Sequence, residues 1–185
     1  MEVKDPQIAI AAHSGPYPQE AEERARAFVR EVSKCSPTLM LGGYWGLMKV
    51  VVDEAAALGL KTVLILPMEH EAVEPPRGVI LIRTGMEYRA RSVPLVRSSD
   101  ALVALGGEVG TIIEALMAYA MGKPVRVLTG LGFSSDKLRL AFPNAFDKRM
   151  AAQVTYTDDV KLAAQSACSG HTIHRDASSW RGEDV

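Results

Sequence analysis

Cysteine is nearly absent from this chain: only Cys35 and Cys168 occur among 185 residues. They lie far apart and neither belongs to a CxxC pair, so no metal framework is expected and the two read as inert thiols in a reducing cytosol. A surplus of one charge is also missing. The 21 Lys+Arg against 22 Asp+Glu leave a formal charge of −1, which provides no general attraction to nucleic acid or anionic lipid, and neither is expected as a partner. Every long apolar stretch is broken by Gly, Lys, Glu or Pro before 18 residues, so no transmembrane helix is predicted. The first five residues include acids, unlike a secretory leader. A cytoplasmic location follows as the expectation. Asparagine occurs once, at Asn144, and this scarcity of a thermolabile amide fits a thermophilic source. What remains is ordinary globular material, 48% apolar and 23% charged. A chain of this length can bury roughly 70% of its unfolded surface, so its core needs no staple.

Periodicity gives the organisation. Short, mainly apolar segments at residues 7–12, 38–41, 61–66, 79–82, 101–105 and 125–128 read as buried strands, with a seventh at the edge over 154–156. Between them lie one-sided helical patterns over 19–33, 45–58, 87–98 and 110–121, the third of which Pro94 should start or kink. Gly59 and Gly122 stand where helices end. Weaker helical patterns cover 137–149 and 158–166. Apolar strands alternating with amphipathic helices predict a Rossmann-like, doubly wound α/β fold, a mainly parallel sheet with helices on both faces. Residues 1–168 are expected to form one nucleotide-binding domain, and 169–185 a polar tail.

In such a sheet, ligands bind beyond the carboxyl ends of the strands. Two of those junctions are glycine-rich: Gly42, Gly43, Tyr44, Trp45, Gly46 after the second strand, and Gly106, Gly107, Glu108, Val109, Gly110, Thr111 after the fifth. Glycine permits close backbone approach, and the helix that follows aims free N–H groups and its positive dipole end at the same place. An anion pocket is predicted there, with the Thr111 hydroxyl as a further donor. Neither GxxxxGK[ST] nor G-x-G-x-x-G is present. Glu114, one turn into the helix, either looks back over the loop or complements the dipole for about 0.3–1 kcal/mol. Arg89, Arg91 and Arg97 lie in or beside the preceding helix, and one of them can reach the pocket. Glu108 would repel a phosphate and is expected to point outward. Ser14 can donate from the first loop, and His13 stands beside it. Tyr44 and Trp45 either stack on a ligand ring or pack the helix start. Met117, Met121 and the stripe Ile112, Ile113, Leu116, Ala120 read as core or dimer interface. His171 and His174 lack a third ligand, so no metal is expected.

The segments GGYWGLM, Arg91, Ser99-Asp100-Ala101 and GGEVGTIIE together resemble the LOG ("Lonely guy") family, long labelled "possible lysine decarboxylase". The resemblance covers about residues 7–128. It implies a Rossmann-like homodimer that hydrolyses the N-glycosidic bond of nucleoside 5′-monophosphates, acting as a phosphoribohydrolase without a cofactor. On that pattern Gly106, Gly107, Gly110 and Thr111 hold the phosphate, Arg91 and Glu114 form the catalytic pair, and Ser14, Gly42, Gly43, Tyr44 and Gly46 contact the rest of the ligand. Three positions depart from the active enzymes: Ser92 replaces a Lys, Leu105 a Pro and Ile113 a Glu. With LVRSSDALVALGG, these departures resemble the branch of molybdenum cofactor carrier proteins, which implies the alternative of a non-catalytic carrier or sensor of a phosphorylated ligand such as a pterin.

Overall fold

A computed structural model describes residues 5–169. Seven strands form one sheet: β1 (Gln7–Ala11), β2 (Thr38–Leu41), β3 (Thr62–Leu66), β4 (Ile80–Arg83), β5 (Ala101–Ala104), β6 (Val125–Leu128) and β7 (Val154–Thr157). Their order is β4-β3-β2-β1-β5-β6-β7, and every adjacent pair is parallel. The central strands are buried on both faces, which is why they read as mainly apolar runs, although β6 carries the buried Arg126.

Helices α1 (Gln19–Val32), α2 (Gly46–Ala57) and α6 (Val160–Ser169) cover one face; α3 (Tyr88–Arg97) and α4 (Val109–Ala120) cover the other. α1 buries Ala21, Ala25, Phe28, Val29 and Val32, the stripe its period dictates. Two cores result, one on each side of the sheet. Phe28, Leu47 and Leu105 belong to the first, Leu95, Ala115 and Tyr119 to the second. Each large side chain taken fully out of water supplies about 1.5–3 kcal/mol.

Pro94 does not start α3 but lies inside it. The Glu87 side chain caps the helix by accepting from the Ala90 N–H at 2.6 Å, and buried Leu95 and Val96 hold the following turn, offsetting the missing bond. The pattern over 137–149 yields only a 3-10 turn, Ser134–Lys137, and the one-turn α5 (Leu138–Ala141), because Pro143 cannot continue a helix. Finally, Cys35 and Cys168 are not free thiols. α1 and α6 pack side by side, and this brings the two Cα atoms to 6.0 Å in a disulfide across 133 residues of sequence. Among the described residues no helix is long and apolar enough to cross a membrane. The predicted polar tail beyond Ser169 and both of its histidines lie outside the described residues.

Candidate functional site

The chain steps outward from β1 to β4, then returns to the other side of β1 for β5. Loops leaving β1 and β5 therefore diverge, opening a crevice at their carboxyl ends. A cavity of about 340 Å³ occupies it, at the lower end of the range for small-molecule sites. His13 and Ser14 enter from the first loop, Trp45 and Met48 from the second junction, Tyr88, Arg89 and Arg91 from α3, and residues 108–111 with Glu114 from α4. A wider hollow of about 480 Å³ is lined only by residues between 141 and 150, and no strand end opens into it.

Most of the loop glycines make room for neighbours. A Cβ on Gly42 would overlap the Arg91 guanidinium, one on Gly43 the Trp45 indole, and one on Gly107 the Thr111 hydroxyl. Gly106, at φ +105°, lies against Phe133. At Gly46, with φ +54°, a Cβ would stand 2.6 Å from the His13 carbonyl oxygen, and the adjacent Leu47 N–H donates to that same oxygen at 2.8 Å. This contact clamps the first two loops together. Gly106 and Gly107 thus lie behind the cavity wall, and the Gly107 N–H already donates to the Ser135 hydroxyl at 3.1 Å. Gly110 differs: nothing stands within 4 Å of its would-be Cβ, and with Thr111 it lines the cavity. The helical ladder begins with the Ile112 N–H donating to the Glu108 carbonyl oxygen. The N–H groups of Gly110 and Thr111 precede it, without a partner among the described residues, as at any helix start.

At the floor, Arg91 Nη1 donates to Glu114 Oε1 at 3.0 Å, and the two side chains are 7% and 11% exposed. Ser92 Oγ donates to the same oxygen at 2.8 Å. Oε2 accepts no hydrogen bond among the described residues. Burial pushes the Glu114 carboxyl above its ordinary range, opposed by the Arg91 charge and by the bonds from Ser92 and Arg91. Arg91 Nε is buried without a partner among the described residues, an unsatisfied donor beside the cavity.

Arg91 and Glu114, placed at one site by the sequence pattern, do meet. Ser14 joins the cavity wall, whereas Tyr44 does not. The Tyr44 hydroxyl donates to Asp53 at 2.6 Å and its ring lies under the Lys49 ammonium. Trp45 takes the cavity position instead. Glu108 is exposed at the rim, where hydrogen bonds from Ser134 hold its carboxyl below the usual range and keep it charged. The His13 ring rests on Phe133 with centroids 5.0 Å apart. Sequence reasoning missed Ser92, Tyr88 and His70. Ser92 and Tyr88 were detectable in principle, flanking Arg91 by one residue and by one helical turn. His70 arrives from the separate turn Met68–His70, and nothing in the linear pattern marks it.

Residues 6–164 match the sequence family described as SLOG cluster4. Over 90 residues, 49% of this chain, the protein is 39% identical to an uncharacterized protein of Archaeoglobus fulgidus, and the match spans 58% of that relative's length. Among solved structures it is similar to TM1055, with a TM-score of 0.78 and 29% identity over 86% of this chain and 96% of that one. It is also similar to the molybdenum cofactor binding protein from the phototrophic bacterium Rippkaea orientalis, with a TM-score of 0.69 over 89% of this chain and 98% of the other. At 21% identity that second likeness is one of fold. The all-parallel sheet, the crevice at its switch point and a family match spanning nearly the whole described chain lead to one conclusion: this protein belongs to the SLOG cluster4 family, within the LOG-like superfamily.

Proposed function

We propose that the cavity binds a phosphorylated small molecule, a nucleoside 5′-monophosphate, and that Arg91 and Glu114 serve hydrolysis of its N-glycosidic bond. The observation carrying this reading is the buried Glu114 carboxylate, one turn inside a helix start, whose Oε2 and whose nearby Gly110 and Thr111 N–H groups have no partner among the described residues. A phosphate seated on the Gly110 and Thr111 N–H groups and the Thr111 hydroxyl would meet the positive dipole end of α4. The unsatisfied Arg91 Nε would add a charged donor. In the reaction the bond between C1′ and the base nitrogen breaks, its electron pair leaves with the base, a water oxygen bonds to C1′, and the proton that the water loses ends on the departing base nitrogen. Positive charge develops on the ribose meanwhile, and an ionised Glu114 would stabilise it and orient the water. The products are free base and ribose 5-phosphate.

A second reading, a carrier that holds a phosphorylated nucleotide or pterin without turnover, is favoured by one feature. Both donors to Glu114 converge on Oε1, and one of them is Ser92, at the position where the catalytic pattern has Lys. Either way the proposal includes a homodimer, supported by exposed Val93 on α3 and Leu116 on α4; it also includes a cytoplasmic location, with the Cys35–Cys168 disulfide of the kind that intracellular proteins of hyperthermophiles keep. It includes no nucleic acid or membrane partner, in keeping with the net charge of −1. Incubation with AMP and other nucleoside monophosphates, with free base followed by chromatography, separates the readings. Base release that disappears in Glu114→Ala is the expected result. Saturable binding without release would establish the carrier, and absence of both would overturn the two readings together.

A further inference from the structure

Three aromatic rings from three separate elements gather on the side of the cavity formed by α3 and the second loop. Trp45 precedes α2, Tyr88 opens α3, and His70 sits on the 3-10 turn that follows β3. The Trp45 and Tyr88 centroids are 6.5 Å apart with nearly perpendicular planes, 86°. His70 packs against both, at 4.8 Å from Trp45 and 5.8 Å from Tyr88. Trp45 and Tyr88 line the cavity, and His70 supports them from outside. The cluster is only partly buried: Trp45, which also packs against the first core, and Tyr88 are intermediate in exposure, and His70 is exposed. Gly43 preserves the arrangement, since any Cβ there would overlap the indole. Gly110 and Thr111, whose N–H groups have no partner among the described residues, line the same cavity. The cavity therefore combines anion donors with aromatic rings.

We propose that Trp45, Tyr88 and His70 form a selectivity wall that admits phosphorylated ligands bearing a planar heterocycle and discriminates against sugar phosphates that lack one. The inference rests on the phosphorylated-ligand reading above and adds to it which part of the ligand determines choice. Aromatic faces and edges attract any flat π-system, whereas the helix start attracts any phosphate and cannot distinguish among them. Stacking of a base on an aromatic side chain is the kind of contact whose removal lowers affinity by about tenfold to a hundredfold. His70 makes no claim on the ligand itself. It is a positioning residue, holding the other two rings in place.

The test uses the full chain with Trp180→Phe, which leaves Trp45 as the single tryptophan reporter. AMP, GMP and ribose 5-phosphate are titrated by stopped-flow fluorescence, before turnover can intervene, and by calorimetry. AMP and GMP are expected to bind at least tenfold more tightly than ribose 5-phosphate and to change Trp45 emission, which ribose 5-phosphate leaves nearly unaltered. His70→Ala and Tyr88→Ala should reduce AMP affinity toward that of ribose 5-phosphate while ribose 5-phosphate affinity stays within about twofold. Tyr88→Phe, which keeps the ring, should restore AMP binding and so separates stacking from misfolding. Equal affinity of all three ligands in the parent, or equal losses for AMP and ribose 5-phosphate in the variants, would overturn the selectivity wall and leave the phosphate site standing. If none of the three ligands binds, the underlying reading fails and the wall with it.

Discussion

Replacing Gly42 by Ala adds one carbon at the carboxyl end of β2, where the Arg91 guanidinium passes directly over the backbone. Gly42 does not have a positive φ, so Ala is conformationally acceptable and the obstacle is entirely Arg91. Relief can come in two ways. The guanidinium can move off Glu114, separating a pair whose side chains are 7% and 11% exposed, a loss of about 3–5 kcal/mol when nothing replaces it. Alternatively the strand end can shift, at about 1–3 kcal/mol for overpacking. Ser92 keeps its bond to Glu114 in either case, which reduces the loss, so about 3 kcal/mol is expected overall. For a chain of this size that lowers the unfolding midpoint by about 6–12 °C. The decisive assay is a double-mutant cycle by scanning calorimetry. Gly42→Ala made on an Arg91→Ala background should cost less than about 0.5 kcal/mol, because the obstructing group is gone, leaving a coupling of about 2–3 kcal/mol. A Gly42→Ala protein melting within about 1 °C of the parent, or the same loss in both backgrounds, would refute the assignment of this glycine to Arg91. AMP affinity should fall together with the midpoint in the single variant.

Two further outcomes follow from the same geometry. Ser92→Ala removes a donor that favours the ionised form of Glu114, whose pKa burial already raises. An activity requiring the carboxylate is lost as pH falls through that pKa, so the acid limb of base release should move to higher pH in Ser92→Ala; an unmoved limb would show that the bond does not tune the carboxyl. The disulfide closes a loop of 133 residues, for which restriction of the unfolded chain predicts about 5 kcal/mol. Cys35→Ser or full reduction should therefore lower the midpoint by about 10–20 °C, and titration of the unfolded, unreduced chain should find no free thiol.

Sequence by itself determined the fold. The mainly apolar segments at β1, β2, β3 and β5 follow from the covering of both faces of a parallel sheet, and the 3.6 period of α1 shows directly as its buried stripe. Spacing left Arg89, Arg91 and Arg97 all open, and it was the family resemblance that singled out Arg91, which the structure brings to Glu114. Tertiary structure alone decided the roles of the glycines. Whether a glycine meets a ligand or a neighbouring side chain depends on what crosses above it: at Gly42 that is Arg91, arriving from a distant helix, whereas at Gly43 and Gly107 it is the nearby Trp45 and Thr111, folded back over the loop. The union of Cys35 with Cys168 likewise depends on α1 and α6 lying side by side, a packing choice made across the whole length of the domain. His70 reached the aromatic cluster through the turn after β3, a path that no periodicity encodes. Local pattern specifies which face of an element is apolar, while contacts between distant loops are set by how the completed layers dock.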